Sequence, residues 1–186
     1  MHNIEIHLYE PKFRDEWDEF VSRSNNGTMF HKQVFLDYHP EGRWNYYHLM
    51  IRRNGKLIGV LPGGTRDEGK SFWSPIGASY GSVVTGDLPF ETCLQIVDAL
   101  MEYFERNGFR DVYMIPPPII YNVNYQQHIE YAMLYRKFDF ELHYISHAIH
   151  LKHGNDFLQY FDKTARKSIH KILREGQIRI EESQDY

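Results

Sequence analysis

Cysteine is nearly missing from this sequence. Cys93 stands alone among 186 residues, so no internal disulfide can form, and the chain suits a reducing compartment. No apolar run approaches the roughly 18 residues that a membrane span needs. The opening MHNIEIHLYEPKF carries no apolar h-region of a secretory signal, and the expected location is the cytoplasm. Phosphate-binding glycine motifs are also lacking: neither the dinucleotide fingerprint nor a P-loop occurs. There is no internal repeat and no low-complexity tract. A composition of 42% hydrophobic and 25% charged residues excludes a disordered chain and leaves an ordinary globular one.

Aromatic side chains are abundant, at 16%, with 14 Tyr and 12 Phe. Such rings serve a core, or a pocket that holds a polar ligand against flat faces. Charge is unevenly placed. Between Lys152 and Arg179 there are seven Lys or Arg against three acids, whereas the remainder has 14 bases and 22 acids. The C-terminal stretch is thus electrostatically unlike the body.

Hydrophobic patterning predicts a first strand at Ile4 to Leu8 and a helix carrying Phe13, Trp17, Phe20 and Val21, ended by Ser24-Asn25-Asn26-Gly27. A second short helix is expected over Phe30 to Tyr38, before Pro40 and Gly42. Tyr46 to Arg53 and Lys56 to Leu61 flank Asn54-Gly55. Both turn residues tolerate positive φ, so the segment predicts a β-hairpin. Gly63 to Gly69 reads as a turn, and Ser71 to Trp73 and Ser82 to Thr85 as strands around the loop Ser74 to Gly81. Pro89 opens an amphipathic helix with Phe90, Leu94, Val97, Leu100, Met101 and Phe104 on one face and Cys93 offset from it; Asn107-Gly108 closes it. Val112 to Ile115 is a strand cut off by Pro116-Pro117-Pro118. Tyr125 to Arg136 reads as helix, and Phe138 to Leu151 as a bent strand or pair of strands. The fold class expected is α/β (mixed α+β), a central mixed sheet with a hairpin, flanked by helices.

Asn155 to Gly176 reads as one helix of about 20 residues, capped by Asn155 and ended by Gly176. At 100° per residue, Phe157, Leu158, Phe161, Ala165, Ile169, Ile172 and Leu173 fall within an arc of about 160°. Lys163, Arg166, Lys167, His170, Lys171 and Arg174 occupy an opposite arc of about 140°, with Tyr160 at its edge. That stripe is either a solvated face or the contact surface for a phosphate-rich partner. Gln177 to Glu181 alternates like a new strand. His143, His147, His150 and His153 crowd together, but no Cys or carboxylate accompanies them, and they read as ordinary histidines rather than a metal site.

Thr164-Ala165-Arg166-Lys167-Ser168-Ile169-His170-Lys171 followed by Glu175-Gly176-Gln177-Ile178-Arg179-Ile180 resembles the R-x-x-I-x-K-A-x-K-x-G-I-x-I stretch of FemAB-like acyltransferases, a branch of the GNAT superfamily. In the same order, Asn26-Gly27-Thr28-Met29-Phe30-His31 is similar to that family's N-G-T-x-F-H segment. Leu57 to Pro62 is similar to its G-x-L-P strand end, and Ser79-Tyr80-Gly81 to its Y-G-G loop, with Ser82 at the third position. His39 stands where peptidoglycan-directed members carry a lysine, and the GNAT pyrophosphate turn Q/R-x-x-G-x-G/A is missing.

The resemblance implies a GNAT-like N-terminal domain over 1–152. It implies that 153–186 is the crossover helix and first strand of a second such domain, without which the chain would be inactive. It implies transfer of an acyl or aminoacyl group from acyl-CoA or aminoacyl-tRNA, without metal, to the amine of a small molecule or cell-envelope precursor. His31 and Tyr80 would contact substrate; Arg166, Lys167 and Lys171 would contact phosphate; the catalytic residues stay unassigned. A non-catalytic GNAT-like binding module, or an RNA- or polyanion-binding domain using 163–174, are the alternatives. The apolar face of the last helix predicts homodimerisation through it.

Overall fold

In the computed structural model, residues 4–142, 145, 157–176 and 181 are described. The chain divides into two compact units, Met1–His143 and Tyr144–Tyr186.

The first unit is mixed α/β, as the patterning predicts. Strands β1 (Ile4–Leu8), β2 (Leu49–Arg53), β3 (Lys56–Leu61) and β6 (Val84–Thr85) form an antiparallel sheet in that order. Strands β4 (Gly64–Arg66), β5 (Ser71–Ser74) and β7 (Asp111–Met114) form a second, in which β4 and β5 are antiparallel and β5 and β7 parallel. Parallel neighbours need a long crossover, and it contains helix α3 (Phe90–Arg106). Asn54 and Gly55 both have positive φ, 52° and 76°, as the tight hairpin turn requires.

The hairpin carries a bulge. Ile51 pairs with Gly59 but Arg52 pairs with Leu57, so Ile58 is the extra residue. One inserted residue reverses the facing of everything beyond it. Leu57 and Val60 consequently both reach the core under helix α1 (Arg14–Arg23), with Trp17, Val21, Met50 and Val84. Ile58 and Leu61 reach the larger core with Leu49, Ile51 and Phe72, under α3 and α4 (His128–Tyr135).

Several boundaries differ from the sequence reading. Phe30 to Tyr38 is a 3-10 turn at Met29–His31 and a four-residue helix α2 (Gln33–Leu36). Tyr46 makes only a bridge to Gly64, and the expected turn at Gly63 to Gly69 contains β4. The strand expected at Ser82 to Thr85 is two residues long, and α4 starts three residues after Tyr125. Within α3, Cys93 is in the core beside Ile96 and Val97, whereas Met101 faces solvent. Residues 138–142 and 145 are in no strand, and the other residues of that expected strand lie outside the described residues, as do His143, His147, His150, His153, Asn155 and Gln177 to Ile180.

In the second unit the 20-residue helix is not continuous. A 3-10 turn spans Phe157–Tyr160, and helix α5 runs Lys163–Glu175. Asp162 caps α5, its Oδ1 accepting the N–H groups of Thr164 and Ala165 at 2.7 and 2.9 Å. An aspartate at this position satisfies two orphan donors and favours the positive helix end, so the helix starts there. Gly176, at φ 61°, ends it as expected.

Candidate functional site

The segments Asn26 to His31 and Ser74 to Ser82, far apart in sequence, are locked together. Asn26 works as a piece of strand edge. Its Oδ1 accepts the Thr85 N–H at 2.9 Å and its Nδ2 donates to the Val83 carbonyl at 2.9 Å. Thr28 then caps the 3-10 turn, its Oγ1 accepting the Phe30 N–H at 3.3 Å. His31, with no exposed surface, uses both ring nitrogens: Nδ1 accepts the Thr28 N–H at 2.9 Å, and Nε2 donates to the Gly81 carbonyl at 3.0 Å. That arrangement fixes the neutral Nε2–H tautomer, and burial lowers the ring's pKa. The Trp17 indole N–H donates to the His31 carbonyl at 2.7 Å, tying the turn to α1.

The loop is held from its own side as well. Gly81 N–H donates to the Ile115 carbonyl at 2.8 Å, and Ile115 N–H to the Ser74 carbonyl at 2.7 Å. Ser74 Oγ accepts the Ser82 N–H at 2.8 Å and donates to the Pro62 carbonyl. His39 Nε2 meets the Gly77 carbonyl, so the residue in the family's lysine position is engaged with this loop. Upon this scaffold Tyr80 is half-buried, its ring 5.6 Å from Phe30 and 6.0 Å from Tyr121, each centroid to centroid. The surface is aromatic, and the Tyr80 hydroxyl on it is without a partner among the described residues, an arrangement suited to contact with a ligand that has apolar faces and polar edges.

Of the two expected substrate-contact residues, the structure therefore brings both to one place and gives them different environments. Tyr80 is accessible; His31 is enclosed behind it and holds the loop. Ser82 follows with φ 72°, a left-handed conformation that non-glycine residues adopt at a cost of about 1–2 kcal/mol. It occupies the position where the family pattern has glycine. Ser82→Gly is expected to raise stability by about 0.5–1 kcal/mol, the relief exceeding the added unfolded-state entropy. Urea denaturation midpoints measure this.

Arg166, Lys167 and Lys171 lie on α5, where no residue is buried. Lys171 pairs with Glu175 at 3.8 Å; Arg166 and Lys167 have no ion pair among the described residues. The cationic arc of α5 is as the spacing predicts, since the shortened helix still contains all six of its members.

Cys93 is sealed in the core, and burial pushes its thiol up to about 11, with Glu130 adding to the effect. It is no nucleophile in this state. No group of three or more His, Cys, Asp or Glu able to hold a metal occurs among the described residues. No described helix is long and apolar enough to cross a membrane. Sequence reasoning missed the roles of the Asn25 amide, whose signal was only a turn-rich composition, of the Asn26 amide, named only within the N-G-T-x-F-H segment, and of the buried His48. His48 Nδ1 accepts the Gly63 N–H at 3.0 Å among the rings of Tyr9, Trp17 and Tyr46.

No protein-family model matches the chain, and no curated protein sequence matches it. Among solved structures it is similar to a ribosomal-protein-alanine N-acetyltransferase from Brucella melitensis biovar Abortus 2308. The TM-score is 0.47 at 12% identity, over 80% of this chain and 100% of the other. It is similar to an aminoglycoside N-acetyltransferase in complex with CoA, at TM-score 0.47 and 10% identity, over 81% of this chain and 97% of that one. A third, an aminoglycoside acetyltransferase from an uncultured soil metagenomic sample in complex with trehalose, gives TM-score 0.41 and 16% identity over 80% and 97%.

Proposed function

We propose that this chain is an acyl-transfer module of the FemAB-like kind, which takes an acyl or aminoacyl group from acyl-CoA or aminoacyl-tRNA and passes it to a substrate amine. The observation that carries the reading is the His31–Gly81 hydrogen bond with the Phe30–Tyr80 ring contact. Two of the segments that carry the resemblance, the one at Asn26 to His31 and the one at Ser79 to Gly81, are one structural unit, as segments serving a common site would be.

On this reading Tyr80 contacts the acceptor, and His31 is a positioning residue that sets the height of the loop. Arg166, Lys167 and Lys171 contact phosphate oxygens of the donor, Arg166 through its bidentate fork and the lysines as point charges. The amine attacks the donor carbonyl, the tetrahedral oxyanion collapses, and thiolate or ribose hydroxyl leaves while the amine loses a proton. Neither His31 nor Cys93 is the base, the first being hydrogen-bonded at both nitrogens and the second a buried neutral thiol.

The test is acyl transfer to a panel of amines, and turnover by the chain itself would overturn the expectation that it is inactive without a second domain. Tyr80→Ala is expected to raise the acceptor KM about 10-fold with little change in donor affinity, as loss of a binding contact of about 1.4 kcal/mol would. An unchanged acceptor KM would remove Tyr80 from the site.

A second reading, polyanion binding through α5 alone, is favoured by Arg166 and Lys167, which have no ion pair among the described residues. It requires that affinity for RNA fall steeply with salt and that acyl-CoA not compete.

A further inference from the structure

Strand β1 is the outer strand of its sheet, with β2 on one side and no described strand on the other. Native proteins blunt such an edge with lysine, proline, a bulge or a covering loop, because its unpaired N–H and C=O groups invite another strand. Ile4-Glu5-Ile6-His7-Leu8 has neither lysine nor proline, and its pairing with β2 carries no bulge.

The phase of that pairing decides which groups face outward. Tyr9 N–H donates to the His48 carbonyl at 2.8 Å, one step beyond the Leu8–Leu49 pair. Alternation along an antiparallel ladder then turns the backbone groups of Glu5 and His7 toward β2 and those of Ile4, Ile6 and Leu8 away from it. The outward groups have no partner among the described residues. Ile4 and Ile6 pack partly buried against the larger core, whereas Leu8 is 50% exposed. Beside Leu8 the surface opens into a groove of about 530 Å³ that reaches Phe13 and Arg52.

We propose that β1 is a docking edge for a second copy of this chain, pairing antiparallel with the partner's β1 about a two-fold axis at Ile6. The strand complements itself in that register. Ile6 meets the partner's Ile6 and Ile4 meets the partner's Leu8, which are the residues whose backbone groups point outward, for about six ladder bonds. Glu5 lies opposite the partner's His7, at the non-hydrogen-bonded positions where side chains approach most closely. Within one chain His7 Nε2 already meets Glu5 Oε2 at 3.2 Å, so pairing builds a wider acid–base cluster. On the other face the exposed Leu8 gains the partner's Ile4 as apolar cover. A slip by two residues, the nearest that keeps the backbone phase, would set Glu5 against the partner's Glu5 or His7 against the partner's His7, which disfavours it. The contact is isologous, so it closes at two copies. It is independent of the acyl-transfer reading, which gives β1 no role.

Chains bearing Glu5→Cys and chains bearing His7→Cys, oxidised separately and as an equimolar mixture, test the register; Cys93 is buried and adds no exposed thiol. The mixture should give a disulfide-linked dimer at about 10-fold or more the yield of either variant alone, because position 5 of one chain lies opposite position 7 of the other. Sedimentation equilibrium of the unaltered chain should show exchange between monomer and dimer at roughly 10–100 μM, as suits so short an interface. Leu8→Pro deletes an outward N–H and spares the ladder to β2, and should raise the dissociation constant about 10-fold or more. An unaltered chain that stays monomeric to about 500 μM leaves this edge to a strand of another protein or to none, and overturns the proposal. So does a dimer whose mixed cysteine variants cross-link no better than each alone, as association through α5 would give.

Discussion

Stability is expected to fall by about 2 kcal/mol between pH 6.5 and pH 5 through His48 alone, at roughly 1.4 kcal/mol for each pH unit. The ring is buried with its Nδ1 accepting the Gly63 N–H, and desolvation lowers its pKa from 6.5 to about 3. A histidine whose pKa is lower in the folded chain holds fewer protons there than when unfolded. Its contribution is thus complete above pH 6.5 and is lost progressively as pH falls toward 3. His31 acts with the same sign, being lowered by burial as well. His48→Gln keeps an acceptor for the Gly63 N–H but cannot be protonated. Denaturant titrations at pH 7 and pH 5 should show the wild-type difference shrinking by about 2 kcal/mol in this variant. An unaltered difference would mean that the ring is charged in the folded state.

Gly81→Ala is expected to damage the fold through a single added methyl group. A Cβ at this position would lie 2.5 Å from Pro75 N, Ser74 C and Ser74 Oγ, and two of those atoms are backbone. Relief by backbone movement would stretch the Gly81 N–H bond to Ile115 and the His31 bond to the Gly81 carbonyl. Overpacking and the loss of buried hydrogen bonds together cost about 3–4 kcal/mol, or a midpoint lowered by roughly 8–12 °C. Ser79→Ala, two residues away at an exposed position, should leave the midpoint within about 1 °C. A Gly81→Ala protein that unfolds like wild type would show that the loop is not clamped where the structure has it.

The parts of the fold legible in the sequence are those with a local physical cause. Asn54-Gly55 declares its turn because few residues tolerate two successive positive φ values, and α3 declares itself by four turns of apolar spacing. Strand β4 was hidden because Gly64-Thr65-Arg66 pairs through backbone groups, with no alternating side chains to reveal it. The start of α5 was misread for a related reason. By residue type Asn155 suits an N-cap as well as Asp162 does, and it is the hydrogen bonds of Asp162 that place the start of α5.

At the candidate site, the resemblance pointed to His31 and Tyr80, but their division of labour was not legible. It depends on a contact across 50 residues, His31 to Gly81, that no spacing rule encodes.

The most direct test of the account is the affinity of the purified chain for acetyl-CoA and for aminoacyl-tRNA, measured by titration calorimetry alongside Arg166→Glu/Lys167→Glu. The account predicts saturable binding of at least one donor, weakened about 10-fold or more by the double charge reversal. Failure to bind either donor, or an affinity unchanged by the reversal, would contradict it.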